Sequence, residues 1–400
     1  MGLFDNFAHY LSYLATDQET FRDLRGSYDG LVVPGTIAAW HLQGTGGFVL
    51  SMSAIEGPPS YVIDPRFPLF QQALPDAKQS HQALAEILGD ASLVSNQTPL
   101  PGEFNSERLR RIAQGWVDFN NSYGSTANEK FDKYAARLGE AGATVGTSQA
   151  PERILAPYFV ARDIADPWWH VSKTLYEETV RAARGTACAR VVAAQNVFVI
   201  DELLKDVGDA SAVVWVSNFD EPNRTEPELR LYREAVEHAR MRSQKLFALY
   251  GGYFSVALSG AGLDGSAHGV GFSEHRDWVE LPKSGAPPAR FYSLRWHRYV
   301  TRDVAQELWQ ADRELFSCEC THCGGRPPNA LSYHELMKHS VLARQSEIAN
   351  FTSAADASAE MLAEYQTMER RIPELGLLPR IEQRAHDAVA HLPAWAAALS

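Results

Sequence analysis

Several things are scarce in this 400-residue chain, and each scarcity excludes something. There are only four cysteines, three of them packed into six positions, so a disulfide framework is not expected. No run of residues reaches the eighteen apolar positions that a membrane span needs. The start, Met1-Gly2-Leu3-Phe4-Asp5-Asn6, lacks the basic and apolar regions of a signal peptide, which makes the cytoplasm the default expectation. Positive charge is in deficit: the formal net charge is −12, which argues against non-specific coating of nucleic acid but allows an enzyme with a local basic groove. No Gly-x-Gly-x-x-Gly follows a strand-like run and no Walker-type loop occurs, so nucleotide-binding open sheets gain no support.

What is present is concentrated. In Cys318-Glu319-Cys320-Thr321-His322-Cys323, with His334 and His339 following, thiolates crowd as they do in tetrahedral zinc sites. Cys318, Cys320 and Cys323 supply three ligands, and His339 or His334 the fourth. Three thiolates and an imidazole saturate the ion, leaving no open position for water, so the expected role of the zinc is structural.

Along the chain, residues 1–30 read as a helical segment. After the apolar run 31–36, short apolar runs bounded by glycine, proline or acids alternate with helical stretches: 48–53, 60–65, 154–160, 189–195, 212–216, 253–258, 290–294 and 315–317. Runs of this kind read as buried strands, and strand–helix alternation implies a parallel sheet. About eight repeats predict closure into a (β/α)8 TIM barrel over 31–317, followed by a zinc-binding subdomain at 318–345 and C-terminal helices at 346–400.

In such a barrel the chemistry sits on the rim at the C-terminal ends of the strands. Asp64, Asp163, Asp220 and Asp264 fall at or just past expected strand ends, and converging carboxylates suit reactions at a glycosidic carbon. The glycine-rich stretch from Gly260 to Arg276 offers His268, Glu274, His275 and Arg276 to a ligand.

These motifs together resemble the tRNA-guanine transglycosylase family, zinc-bearing barrels that exchange a guanine in nucleic acid for a 7-deazaguanine. The Cys-x-Cys-x2-Cys spacing with a later histidine is similar to the family's zinc motif, at Cys318, Cys320, Cys323 and His339. Val33-Pro34-Gly35-Thr36 resembles its Pro-x-Gly-Thr. The stretch from Tyr61 to Gln71 stands where the family has Asp-Ser-Gly-Gly-Phe-Gln, which implies that Asp64 is the general acid/base. By the same resemblance Asp163 and Gln195 read the purine edge, and Gly269-Val270-Gly271-Phe272-Ser273-Glu274 is similar to Gly-Leu-Ala-Val-Gly-Glu, with Gly271 at the base. The family's Phe-Asp-x-Val-x-Pro-Thr-Arg stretch is missing here, which leaves Asp220 or Asp264 as the nucleophile. The resemblance is to a divergent member nearer the branch that places deazaguanines in DNA. It implies nucleic acid (DNA or tRNA) and a deazaguanine base as partners, no membrane, and a homo- or hetero-oligomer. The alternatives are a barrel without a nucleophile that binds nucleic acid or a protein, and an unrelated barrel hydrolase using the Gly262–Arg276 loop.

Overall fold

In the computed structural model, which describes residues 2–125, 129–272, 274–279 and 288–400, nine strands form one parallel sheet that curls into a barrel. They are β1 (Ala8–Ser12), β2 (Gly30–Pro34), β3 (Ser60–Asp64), β4 (Ile154–Leu155), β5 (Val160–Ala161), β6 (Cys188–Ala194), β7 (Ala212–Val216), β8 (Leu246–Ala248) and β9 (Leu263–His268). The order is β3-β2-β1-β9-β8-β7-β6-β4, with β5 also beside β6. β4 and β5 are two pieces of one interrupted strand, pairing with the start and the end of β6 through Ile154↔Cys188 and Val160↔Ala193. The fold is thus an eight-stranded, nearly closed α/β TIM barrel.

The seam between β3 and the interrupted strand is closed differently at its two ends. Low in the barrel, Glu152 N–H donates to Tyr61 O at 2.9 Å. At the upper end the side-chain amide of Gln71 takes the place of a strand, accepting from Val160 N at 2.7 Å and donating to Val160 O at 3.0 Å.

Alternation along each strand divides the core in two. Tyr10, Val32, Val62, Val191, Val213, Trp215 and Phe247 fill the barrel with Leu3 and Phe4 at its floor, while Leu11, Leu31, Ile63 and Val214 face the surrounding helices.

Four expected strands are not barrel strands. The run at 315–317 lies on the end of the short helix Arg313–Phe316, with Ser317 as its cap. Residues 48–53 belong to the helix Gly44–Ser53, buried from Thr45 to Ser53, and 253–258 fall on the short buried helix Tyr253–Ala257. A helix buried on every side loses its amphipathic period, so a short apolar run cannot be told from a strand by pattern. The run at 290–294 forms β10 (Arg290–Ser293), which pairs antiparallel with β11 (Arg298–Thr301) as a hairpin outside the barrel. Conversely, β1 comes from the first thirty residues, expected to be helical, and β9 from the stretch read as a glycine-rich loop.

After the barrel come the hairpin, the cysteine turn and the helix Tyr333–Asn350, then the helices Ala354–Arg371, Pro379–Val389 and Leu392–Leu399. This tail is packed onto the barrel: Trp395 Nε1 donates to Glu221 O at 3.1 Å, and His391 Nε2 meets Trp296 O at 2.9 Å. Among the described residues no helix is long and apolar enough to cross a membrane.

Candidate functional site

The cysteine turn follows a four-residue helix, Arg313–Phe316. Its fold is set by backbone bonds from Cys323 N and Gly324 N to Cys320 O and from Gly325 N to Cys318 O. Gly324 and Gly325 have φ of +53° and +70°, a conformation that costs glycine least. His339 reaches the turn from the helix Tyr333–Asn350. Ligand atoms of Cys318, Cys320, Cys323 and His339 all lie within 4.8 Å of one another, with Cys318 Sγ 3.4 Å and Cys320 Sγ 3.8 Å from His339 Nδ1. A tetrahedral ion with metal–sulfur bonds of about 2.3 Å spans sulfurs about 3.8 Å apart, so the cluster has the size to hold one metal ion. His339 Nε2 lies 2.7 Å from Tyr292 O; donating its N–H there leaves the Nδ1 lone pair facing the sulfurs, the usual outer-shell arrangement for a ligating histidine. His334 is elsewhere, with Nε2 4.0 Å from Glu19 Oε2. The alternative left open by spacing thus resolves to His339.

At the barrel mouth the centre is Asp64, last residue of β3 and 0% exposed. Tyr158 Oη donates to its Oδ1 at 2.9 Å and Tyr250 Oη to its Oδ2 at 3.4 Å. Arg66 binds twice, through its backbone N at 3.0 Å to Oδ1 and its Nε at 3.0 Å from Oδ2. To do so it turns back with φ +55°, an uncommon conformation for a residue with a side chain. Trp215 packs edge-on against Tyr158 and Tyr250, with ring centroids 6.0 and 5.7 Å away, and its buried indole N–H has no partner among the described residues. Arg276 reaches in from the segment after β9, its Nη1 3.5 Å from Tyr250 Oη. The same segment is pinned across the rim by Asn218 N to Arg276 O at 2.7 Å and Trp278 N to Ser217 Oγ at 3.3 Å. An acid roofed by tyrosines and guanidiniums inside a barrel mouth is chemically a proton or charge site.

The other acids separate. Asp220, past β7, lies on the rim with His275 Nδ1 3.3 Å from its Oδ1. Burial raises its pKa, but the hydrogen bond and charge of His275 outweigh it and hold the carboxyl below its ordinary value. Asp220 and His275 line a rim cavity of about 110 Å³ with Glu274, Arg290, Arg298 and Tyr299. Asp264 is at the opposite end of the barrel: second residue of β9, it accepts from Leu246 N, first residue of β8, at 2.8 Å. Expected past a strand's end, it in fact starts one, because the strand lies in the run read as loop. Asp163 is exposed and closes its own turn by accepting from Ala165 N at 2.8 Å. The buried acid there is Asp166, which caps the helix Pro167–Ala183. Gln195 is exposed just beyond β6. Gly271 is buried with φ +78°, and a Cβ there would stand 2.5 Å from Met337 Sδ, so packing and backbone conformation account for the glycine. Ser273 of the same motif lies outside the described residues.

Behind the rim, between β9 and the helix Tyr333–Asn350, runs a buried polar network. Arg344 donates to Glu347 Oε2 at 2.8 Å and to Glu274 Oε1 at 2.7 Å. Tyr292 Oη donates to Glu347 at 2.9 Å, and His297 Nδ1 is 2.7 Å from Glu347 Oε1. Glu221 accepts from Phe254 N, Ser255 N and Ser255 Oγ at 3.0, 3.1 and 2.6 Å. His9 and His268 face each other with ring centroids 5.1 Å apart. Burial, then the charge of Arg344, push His9 down to about 3.

Reading the sequence missed Arg66, Tyr158, Trp215, Tyr250, Glu221 and Arg344. Some left a trace, since Arg66 and Glu221 stand within two residues of acids already singled out, and Arg344 stands just over one helical turn past His339. The aromatic residues left none, because a tyrosine in an apolar strand reads as core.

No family model matches the chain, and no curated protein matches it. Among solved structures, a Coccidioides immitis protein described as a fructose-1,6-biphosphate aldolase is 10% identical, with a TM-score of 0.35 over 87% of this chain and 90% of that one. Nitroalkane oxidase from Streptomyces ansochromogenes is 11% identical, with a TM-score of 0.28 over 86% and 88%. Likenesses this weak carry no argument about activity.

Proposed function

We propose that the protein is a nucleic-acid transglycosylase that exchanges a guanine for a 7-deazaguanine base, in DNA rather than tRNA. The observation that carries this reading is Asp64, a fully buried carboxylate at the mouth of a nearly closed barrel, held by Arg66, Tyr158 and Tyr250. Support comes from the Cys3His cluster placed after the barrel. The metal is taken to be zinc, and with four protein ligands it is structural, holding the cysteine turn to the helix Tyr333–Asn350.

In this reading the target nucleotide is flipped out of its strand to the rim. Asp220, kept ionised by His275, attacks the anomeric carbon as the guanine leaves, and the glycosyl ester that forms is resolved by the incoming base. Asp64 takes the proton of the incoming base. Tyr250 is the partly exposed aromatic at the mouth that a purine face could meet, backed by the buried Tyr158 and Trp215.

The deciding experiment supplies radiolabelled guanine and 7-deazaguanines to the protein with DNA and, separately, with tRNA. Label should enter DNA, and Asp64→Asn should cut the rate by about 10²–10⁴, the usual worth of a positioned acid or base. No incorporation into either polymer would sink the proposal. The second reading, a barrel that binds nucleic acid without exchange, is favoured by one observation: both oxygens of Asp64 are engaged by protein groups. Base binding that survives Asp64→Asn, without exchange, would select it.

A further inference from the structure

Two buried glutamates, Glu221 and Glu347, and the partly exposed Glu274 share a single buried guanidinium behind the rim. Glu347 has Arg344, Tyr292 Oη and His297. Glu221 is satisfied as an anion by two backbone N–H groups and a hydroxyl at the start of the helix Tyr253–Ala257. Glu274 has Arg344 Nη2 as its one hydrogen-bond partner among the described residues. It also stands close to Glu221: a Cβ placed on Gly252 would lie 2.6 Å from Glu221 Oε2 and 3.1 Å from Glu274 Oε2. Three carboxylates cannot all be ionised cheaply around one cation in a poorly hydrated site. The proton belongs on the member with fewest donors, which is Glu274.

Glu274 is also the one of the three that lines the rim cavity, opposite Asp220 and His275. The groups facing it are Arg344 and Glu347 on the helix Tyr333–Asn350, Glu221 past β7, Tyr292, Arg298 and Tyr299 on the hairpin, and His275 beside it. Burial raises the Glu274 carboxyl, Arg344 opposes this, and Glu221 and Glu347 add to it, leaving it at about 7. Asp220 across the same cavity is shifted the other way. Two carboxyls driven apart by their surroundings are how one site supplies an acid and an anion at the same pH.

We propose that Glu274 is the acid of this site, giving its proton across the rim cavity to the base that leaves, and that Arg344 is its positioning residue, reaching it from the helix that carries His339. This rests on the base-exchange reading. As Asp220 forms its ester to the anomeric carbon, the glycosidic C–N bond breaks and its electron pair stays on the base nitrogen. That nitrogen takes the Glu274 proton and the base departs neutral. The incoming base then displaces Asp220 and gives its own proton to Asp64. Asp64 releases that proton to water and Glu274 regains one from water, which closes the cycle.

The test uses the full-length, metal-loaded protein with glutamate carboxyls labelled with carbon-13. One carboxyl should titrate near 7, vanish in Glu274→Gln and persist in Asp220→Asn. The exchange rate should fall as pH rises through that value, and Glu274→Gln should lose about 10²-fold or more and the alkaline limb with it. Arg344→Lys should move the titration and lower kcat while the KM for the base stays within about twofold. Near-UV circular dichroism confirms that each variant is folded. A Glu274 that titrates as an ordinary carboxyl, or a Glu274→Gln that exchanges at the wild-type rate with the same pH profile, overturns the assignment. If the wild type exchanges no base at all, the base-exchange reading falls by itself. A Glu274 titration near 7 that shifts on adding guanine then still supports the acid, and one indifferent to guanine overturns it.

Discussion

One aspartate from each end of the barrel makes an instructive contrast. Asp64 ends β3 and Asp264 begins β9. At the mouth, the loops that follow the strands bring Arg66, Tyr158, Tyr250 and Arg276 toward one carboxylate. At the floor Asp264 accepts a backbone N–H of the neighbouring strand, and the nearby Lys245 Nζ donates to Phe4 O at 2.8 Å. The first is an acid surrounded by side chains that can act on a substrate; the second is a strut between strands. Which end of its strand a residue occupies decides between these roles, and the side chain alone does not.

The comparison can be sharpened by substitutions at three places. The largest effect is expected away from both acids, at the Cys3His cluster. Cys320→Ser or His339→Ala should abolish stoichiometric metal, read by elemental analysis, and lower Tm steeply, because binding free energy at such sites reaches about 10–16 kcal/mol. Unchanged metal content and Tm would remove the cluster from the fold's support. Next comes Asp64→Asn, which leaves Arg66 without its buried counter-charge; beyond its effect on exchange it should cost about 3–5 kcal/mol in denaturant titration. A loss under about 1 kcal/mol would make the mouth no different from the floor. The smallest effect belongs to Asp264→Asn, about 1 kcal/mol, with exchange unaffected. Burial, opposed by the Leu246 N–H and Lys245, raises the Asp264 carboxyl in the folded protein. Its contribution is therefore full in acid, below the unfolded value, and fades as pH rises through the folded one. Stability of Asp264→Asn relative to wild type should accordingly improve with pH, and a flat difference between pH 3 and pH 7 would contradict that environment.

The barrel is legible in the sequence because alternation of apolar runs and helices is a global pattern that survives errors in its parts. The count near eight is right although 48–53, 253–258, 290–294 and 315–317 lie outside the barrel wall and β1, β2, β8 and β9 lie outside the runs counted as strands. These departures share a cause. Phe48 to Ser53 and Tyr253 to Ala257 are buried all round, and β9 carries Ser266 and His268 on the face toward the polar network around Arg344 and Gly265 where Ala8 and Phe247 leave no room for a side chain. The candidate metal cluster is legible for the opposite reason, since three thiols within six positions of a chain without a disulfide framework suit little except an ion. What cannot be read is convergence: nothing local says that Tyr158 and Tyr250 turn to the same carboxylate, or that Arg344 reaches Glu274.

One rung of the barrel has a dynamic consequence. Along most of the sheet an amide proton is shielded by a neighbouring strand, and freeing it means parting a ladder. At Val160 the shield is the amide of Gln71, carried on a short 3-10 turn. Rotation of a single side chain therefore unfastens the wall beside Asp64 while every backbone pairing stays intact. Hydrogen exchange at Val160 should be governed by local fluctuation, running ahead of exchange at Val62 and Val191 and insensitive to denaturant.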